Sequence, residues 1–309
     1  MVPRYAYLGP QGTFAHTALR LLPEAACADL VPFPSVTQAI DAVRAGGVDG
    51  ALVPLENSVE GAVPATLDEL AGTGSALVIV SETYLPVVFD LLARPGIAME
   101  QVGSVATHPH AEAQVRRFLL ERLPGVAVSL LASTAAGAAA VAEGSFDAAV
   151  APPMAGELYG LVPLAHDIAD HPAAVTRFVL LGRPSAPTHP TGNDRTSLVA
   201  YLREDHSGAL LEILTEFAMR GVNLTRIESR PTKARVGQYC FTIDCEGHVA
   251  EARVGDALAA VHRICADVRF LGSYPRAEGT QTAVPLGRSD DAFAESREWL
   301  RAVRETGTA

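Results

Sequence analysis

Ser35-Val36-Thr37-Gln38-Ala39-Ile40-Asp41-Ala42-Val43-Arg44-Ala45-Gly46-Gly47-Val48-Asp49-Gly50-Ala51-Leu52-Val53-Pro54 is followed, 98 positions on, by Ser133-Thr134-Ala135-Ala136-Gly137-Ala138-Ala139-Ala140-Val141-Ala142-Glu143-Gly144-Ser145-Phe146-Asp147-Ala148-Ala149-Val150-Ala151-Pro152. The two stretches align without a gap, and Ser35/Ser133, Val43/Val141, Gly46/Gly144, Asp49/Asp147, Ala51/Ala149 and Pro54/Pro152 coincide. In each, a Ser precedes apolar residues at helical spacing, a Gly-containing turn follows, and a short apolar run ends at Pro. That pattern is a capped amphipathic helix leading through a turn into a buried strand. Chance likeness between two Ala-rich helices is the competing explanation.

Working outward, Tyr5 to Gly9 reads as a strand and Pro10 to Phe14 as a tight turn, with Thr13 capping a helix that runs to about Leu22. The same offset carries this unit onto a strand at Ser104 to Thr107, the loop His108-Pro109-His110 and a helix from Ala111 to Leu123. The chain therefore opens with two similar α/β lobes. Lobes of this kind bind ligands in the cleft between them, outside the carboxyl ends of their strands. Three segments fall there: Gly9 to Phe14, Thr107 to His110, and Pro54 to Gly61. Val78 to Val88 carries the chain to the second lobe, and Val175-Thr176-Arg177-Phe178 is placed to carry it back, as hinge and cleft wall together. The run from Ala173 to Gly182 is otherwise apolar, so the ionised Arg177 needs an internal carboxylate or an anionic ligand.

The rest bounds the function class. With 24 basic against 35 acidic residues the net charge is −11, which gives no general attraction for nucleic acid or anionic lipid. Cys27, Cys240, Cys245 and Cys265 have no metal-ligand spacing and read as reduced thiols of a cytoplasmic protein. Gly9-Pro10 comes too early for a secretory leader, and the apolar region from Ala76 to Ala93 is broken by Ser81-Glu82-Thr83 and Pro86, so no membrane span is expected. His108-Pro109-His110 lacks a third ligand, and His166, Asp167, Asp170 and His171 read as solvated loop residues, so no metal site is expected.

The domain limits expected are 3–184 for the two lobes (lobe one about 3–80 and 177–184, lobe two about 81–176), 185–194 for a Pro- and Gly-rich linker, and 195–275 for a second domain. That second domain reads strand Thr196 to Arg203, helix Ser207 to Arg220, strand Val222 to Arg230, strand Val236 to Cys245, helix Ala250 to Ile264, strand Asp267 to Gly272. This is a βαββαβ, ferredoxin-like sandwich. Residues 276–309 read as a flexible tail in which Asp290 to Arg304 can form a helix with Phe293, Trp299, Leu300 and Val303 on one face.

Gly9-Pro10-Gln11-Gly12-Thr13-Phe14, then Pro54-Leu55-Glu56-Asn57-Ser58 with Gly61, then Thr176-Arg177-Phe178 resemble, in that order, the signature blocks of prephenate dehydratase. The βαββαβ segment is similar to an ACT regulatory domain, with Gly208-Ala209-Leu210, Asn223-Leu224 and Glu228-Ser229-Arg230-Pro231 as its marks. The family usually has Gln where this chain has His110 and Asn where it has Ala174. No chorismate mutase domain of the kind some relatives carry is expected ahead of Tyr5. The fold implied is α/β: a two-lobed catalytic domain like the periplasmic binding proteins, with an interlobe cleft, followed by the ACT domain.

The resemblance implies the dehydration and decarboxylation of prephenate to phenylpyruvate in phenylalanine biosynthesis, without metal or cofactor. Thr176 is then the residue that assists departure of the ring hydroxyl, as a preorganised donor. Arg177 anchors a carboxylate or holds Glu56, since regular strand geometry points Thr176 and Arg177 to opposite faces. Asn57, Ser58, Thr13, Phe178 and a positive His108 are implied around the substrate, with Glu56 paired, structural or acting as a general acid. L-Phenylalanine is implied as an allosteric effector bound between two ACT domains by Gly208, Ala209, Leu210, Asn223, Leu224, Glu228, Ser229 and Arg230, so that the chain is expected to be a homo-oligomer, a dimer or a tetramer. Arogenate dehydratase and a non-catalytic two-lobed anion sensor are the alternatives.

Overall fold

The computed structural model describes residues 2–72, 74, 77–232, 239–279 and 283–308. β1 (Arg4–Leu8), α1 (Phe14–Leu21), β2 (Asp29–Phe33), α2 (Val36–Arg44) and β3 (Gly50–Asn57) form the first α/β unit. A short β4 (Gly61–Ala62) folds back on β3, and α3 (Pro64–Ala71) leads to β5 (Val78–Pro86). The chain then builds β6 (Asp90–Ala93), β7 (Ser104–Thr107), α4 (Pro109–Gln114), α5 (Arg116–Arg122), β8 (Ala127–Leu130), α6 (Thr134–Ala142), β9 (Ala148–Ala151), α7 (Pro153–Tyr159) and β10 (Val162–Ala165), before returning through β11 (Val175–Gly182).

The repeat is a repeat of topology. One sheet runs β2-β1-β3-β11-β5 and the other β10-β6-β9-β7-β8, so β2-β1-β3 and β8-β7-β9 occupy equivalent places. Both triplets are parallel, with Arg4 beside Asp29 in one and Ser104 beside Ala127 in the other. Strands sandwiched by helices must be apolar on both faces, and β9 is buried at every residue. Ser35 and Ser133 cap α2 and α6, accepting hydrogen bonds from the Gln38 and Ala136 amides. The first strands are out of step with the 98-residue offset: Tyr5 pairs with Gly50, whereas Val105 pairs with Ala148. The β1–α1 loop spans 9–13, while the β7–α4 junction is the single residue His108.

The helix expected from Ala111 to Leu123 is two helices. Asp170 breaks it: its amide takes the Gln114 carbonyl at 2.7 Å, and its Oδ2 accepts from the Arg117 amide at 3.0 Å, which caps α5. Asp170 is thus bound into the fold as a helix cap rather than standing in a solvated loop. The first crossing and the return lie side by side as β5 and β11, and Val87 N–H donates to Ala174 O at 2.7 Å where they enter the second lobe.

By contacts the chain forms two units, Met1–Thr66 with Thr83–Leu180, and Leu67–Glu82 with Leu181–Ala309. In the second, β12 (Asp194–Tyr201), α8 (Ala209–Ala218), β13 (Leu224–Pro231), β14 (Tyr239–Glu246), α9 (Ala252–Ile264) and β15 (Asp267–Pro275) form an antiparallel sheet ordered β13-β14-β12-β15, followed by α10 (Asp290–Thr306). The expected strand start at Val236 lies outside the described residues. One sheet face packs Leu198, Ala200, Ile243 and Cys245 against Ile213, Phe217, Val254 and Val261 of the helices. Burial pushes the Cys245 thiol up to about 12 and the Cys265 thiol to about 11, so both are unreactive. The other face is polar: Ser197 Oγ donates to Asp244 at 2.6 Å and pairs with the Tyr274 hydroxyl at 2.7 Å. Residues of 67–82 complete this unit through Glu82–Arg195 at 2.5 Å, Asp68–Arg230 at 2.6 Å, and the Tyr201 hydroxyl on Ala71 O. A Cβ at Gly272 would collide with the Ile79 carbonyl, so that position must be Gly.

Among the described residues, no helix is long and apolar enough to cross a membrane, and no cluster of three His, Cys, Asp or Glu side chains is placed to hold a metal ion.

Candidate active site

A cleft of about 290 Å³ opens at the carboxyl ends of the strands of both lobes. Its lobe-one wall is Leu8, Gly9, Thr13, Phe14, Pro34, Pro54, Asn57, Glu60 and Val63, and lobe two supplies Phe89, His108, His110, Ala111, Gln114 and Ala132 to Thr134. Val87, Thr176 and Phe178 line it where the chain crosses between lobes. Thr13, His108 and Ser133 are the caps of α1, α4 and α6, and Pro34 adjoins the Ser35 cap of α2. The starts of four helices therefore converge on one space. Each contributes partial positive charge, which favours a negatively charged ligand.

The centre of the site joins β3 to β11. Asn57 Nδ2 donates to Thr176 Oγ1 at 2.9 Å, while Asn57 Oδ1 accepts from the Val59 and Glu60 amides at 2.8 and 3.0 Å. The two backbone donors fix which end of the amide is oxygen, so the nitrogen must face Thr176. Thr176 Oγ1 therefore accepts from Asn57, and among the described residues nothing accepts its own hydrogen. Ser58 steadies the same strand: its amide donates to Val175 O and its Oγ accepts from Val175 N, both at 2.9 Å.

Thr176 and Phe178 are buried and face the cleft; Arg177, between them, is 4% exposed and is not among the cleft-lining residues. β11 is thus regular enough to keep Arg177 on its opposite face, in the strand beside the one that holds Glu56. Ser58 and Glu56 likewise are not among the cleft-lining residues. Thr13 lines the cleft with its side chain committed, accepting from His16 N at 3.3 Å and donating to Leu8 O at 2.9 Å. The Gly12 amide donates to His16 Nδ1 at 3.2 Å.

His108 Nδ1 accepts from the His110 amide, which leaves the ring hydrogen on Nε2. Burial, with the neighbouring His110 adding to it and Glu60 opposing, holds His108 below its ordinary value, which favours the neutral ring over the positive form. Phe14 and Phe89, one from each side of the crossing, meet edge to face at 5.3 Å and give the cleft an apolar wall.

Sequence reasoning had put Glu60 and His110 in cleft segments without giving either a role, and had not placed Gln114, Ser133 and Thr134 in the site. For Ser133 and Thr134 the signal was present: the repeat makes Ser133 a helix cap following a strand, the same position that put Thr13 at the cleft. Glu60 carries a bridge to lobe two: His110 Nδ1 meets Oε2 and Gln114 Nε2 meets Oε1, each at 2.5 Å. Gln114 brings an amide to this carboxylate one helical turn beyond His110, the residue that stands where relatives usually have Gln.

Of the effector residues expected in the second unit, Gly208 has φ +94° at the start of α8, and Ala209 lines a pocket of about 130 Å³ with Leu202, Arg203, His206 and Cys265. Asn223, Leu224, Glu228, Ser229 and Arg230 do not line it, nor does Leu210; Asn223 and β13 form the edge of the sheet, with Arg230 paired to Asp68.

The same ordering of lobes, cleft and sandwich occurs in known proteins. The family model described as prephenate dehydratase matches residues 5–186, and that of the ACT domain matches 196–263. A prephenate dehydratase of Amycolatopsis methanolica is 51% identical, over 97% of this chain and 98% of its own. The crystal structure of an Arthrobacter aurescens prephenate dehydratase, solved in complex with L-Phe, superposes with a TM-score of 0.92 at 47% identity, covering 98% of this chain and 99% of that one. A structure described as GqqA, a novel type of quorum-quenching acylase, superposes at 0.79 with 31% identity, covering 88% and 98%. With the matched blocks falling on a cleft built around Asn57 and Thr176, this chain belongs to the prephenate dehydratase family.

Proposed function

We propose that this protein converts prephenate to phenylpyruvate, water and carbon dioxide, and that phenylalanine restrains it through the ACT domain. The observation that carries the catalytic reading is the Thr176 hydroxyl, held by the Asn57 amide at 2.9 Å with its own hydrogen directed to no acceptor among the described residues. In the reaction the ring C–O bond breaks and its oxygen takes up a proton. The bond from ring carbon to carboxylate breaks as carbon dioxide leaves, and its electron pair completes the aromatic ring. Thr176 donates to the departing oxygen. Asn57, by donating into Thr176, polarises that hydroxyl and makes it the better donor. A preorganised donor of this kind accounts for about 3–4 kcal/mol of barrier lowering.

The two carboxylates of the substrate lie against the helix starts of α1 and α6, with His108 Nε2–H as a further donor, and the ring lies against Phe14, Phe89 and Phe178. Arg177, Glu56 and Ser58 act from behind β11 and β3, holding Thr176 and Asn57 in register. Acyl transfer by Thr176 would need a base on its hydroxyl, and the Asn57 amide cannot take a proton. In the second unit, Gly208, Ala209 and Leu210 with Asn223, Leu224 and Glu228 to Arg230 form the phenylalanine site between two copies of the chain, in a dimer or tetramer working in the cytoplasm. The L-Phe held by the Arthrobacter relative supports the choice of effector.

The test is phenylpyruvate formation from prephenate by purified protein without added cofactor, with and without phenylalanine. Turnover is expected in the wild type, to be lost in Thr176→Ala with an unchanged melting temperature. Full activity in that variant would overturn the catalytic assignment.

A further inference from the structure

The cleft holds one carboxylate, and it is restrained. Among the described residues that line the space, Glu60 is the only Asp or Glu, and there is no Lys or Arg. A free carboxylate here would repel a dianion and attract an ammonium group. Glu60 is not free: His110 Nδ1 and Gln114 Nε2 occupy its two oxygens, each at 2.5 Å. A carboxylate can only accept, so both partners donate. His110 and Gln114 are one turn apart on α4 and therefore share a helix face. From the other side, the Glu60 amide donates to Asn57 Oδ1, so the backbone that carries the carboxylate is held by the residue that orients Thr176.

Resting on the reading of this cleft as a prephenate dehydratase site, we propose that the Glu60–His110–Gln114 clamp determines substrate class: it admits a 2-keto acid and excludes the 2-ammonium analogue. The two molecules share ring, hydroxyl and both carboxylates and differ only in a carbonyl oxygen against an ammonium. An ammonium entering the cleft must shed water and must compete with His110 and Gln114 for the carboxylate oxygens. The keto acid has no such group to satisfy and meets a carboxylate each of whose oxygens already accepts a hydrogen bond. Opening the clamp hands the ammonium its partner and exposes the dianion to the carboxylate, so the two substrates respond in opposite directions.

The experiment compares kcat/KM for prephenate and for arogenate in wild type, His110→Ala, the double variant His110→Ala/Gln114→Ala, and each of these with Glu60→Gln added. The wild type prefers prephenate. Releasing the clamp raises the arogenate-to-prephenate ratio by about ten- to a hundredfold, the effect of one charge-assisted hydrogen bond, and adding Glu60→Gln abolishes the rise. His110 has a mostly exposed side chain, 67% by area, so the single variant reports even where loss of the buried Gln114 unfolds the protein. A ratio unchanged in His110→Ala, or a rise that persists without Glu60, overturns the clamp. Absence of prephenate turnover in the wild type instead overturns the assigned reaction, so the two failures are distinct.

Discussion

Replacing Asn57 with Asp isolates the hydrogen bond on which the catalytic assignment stands. The introduced side chain has the same shape, and one of its oxygens still accepts from the Val59 and Glu60 amides at 2.8 and 3.0 Å, so the turn after β3 survives. Its other oxygen stands where the amide nitrogen stood, 2.9 Å from Thr176 Oγ1. A carboxylate oxygen accepts, so the bond reverses: the Thr176 hydrogen turns toward residue 57 and away from the leaving hydroxyl. Loss of one preorganised donor should lower kcat by about 10²–10³, or roughly 3–4 kcal/mol. The new charge also faces a dianion and raises KM, which makes the two effects separable. Steady-state assay of phenylpyruvate gives both constants, and a thermal melt checks the fold. A variant in which KM rises while kcat stays within about threefold of wild type would show that Thr176 need not donate, and the reasoning would fail. Asn57→Ala should instead cost both activity and about 1 kcal/mol of stability, since two backbone amides lose their acceptor.

Two further outcomes are expected. Because burial lowers His108 in the folded protein, its neutral form is part of the stable state. As pH falls below the ordinary value of 6.5, the unfolded chain takes up a proton that the folded protein, which would lose the bond from His110 N–H, takes up only at lower pH, so stability falls with pH. Urea denaturation between about pH 7.5 and 5 should show this acid loss in wild type and less of it in His108→Asn, which keeps a capping acceptor; parallel curves would remove His108 as the cause. Gly137→Ala should destabilise by about 1–3 kcal/mol, because a Cβ there would stand 2.9 Å from Ala106 O where α6 crosses β7. The same change should raise KM by displacing the Ser133 cap, and a melting temperature equal to wild type would contradict this close approach.

The two lobes were legible because their signal is local and doubled. Ser caps, apolar spacing and the Pro-terminated strand are written twice, and each copy folds into an equivalent helix and strand. The crossing at Thr176 was legible for a related reason: polar residues in an apolar run require a cavity or a partner. What escaped reading depends on side chains meeting across long separations. Asn57 and Thr176 are 119 positions apart, and Glu60 and Gln114 are 54 apart. The break at Val115 belongs to the same class, because the residues from Ala111 to Leu123 are good helix formers and the interruption comes from Asp170, 53 positions beyond Arg117. The Gly12 amide belongs to this class on a shorter scale, since it is taken by the His16 ring four positions on.

The contents of the second unit bear on how the regulatory module can be moved. Arg195 is 4% exposed and pairs with Glu82, Arg230 pairs with Asp68, Arg269 donates to Leu70 O, and Gly272 fits against Ile79. All of these partners come from 67–82, more than a hundred residues before the sandwich begins. A graft cut at the linker would carry these surfaces without the carboxylates and backbone that match them. Removing one member of a buried ion pair typically costs about 3–5 kcal/mol, a large share of the stability of a domain this small. For recombination between relatives, then, the exchangeable block is discontinuous: 181–309 together with 67–82. Exchanges that respect this block should yield soluble hybrids more often than exchanges made at 185–194.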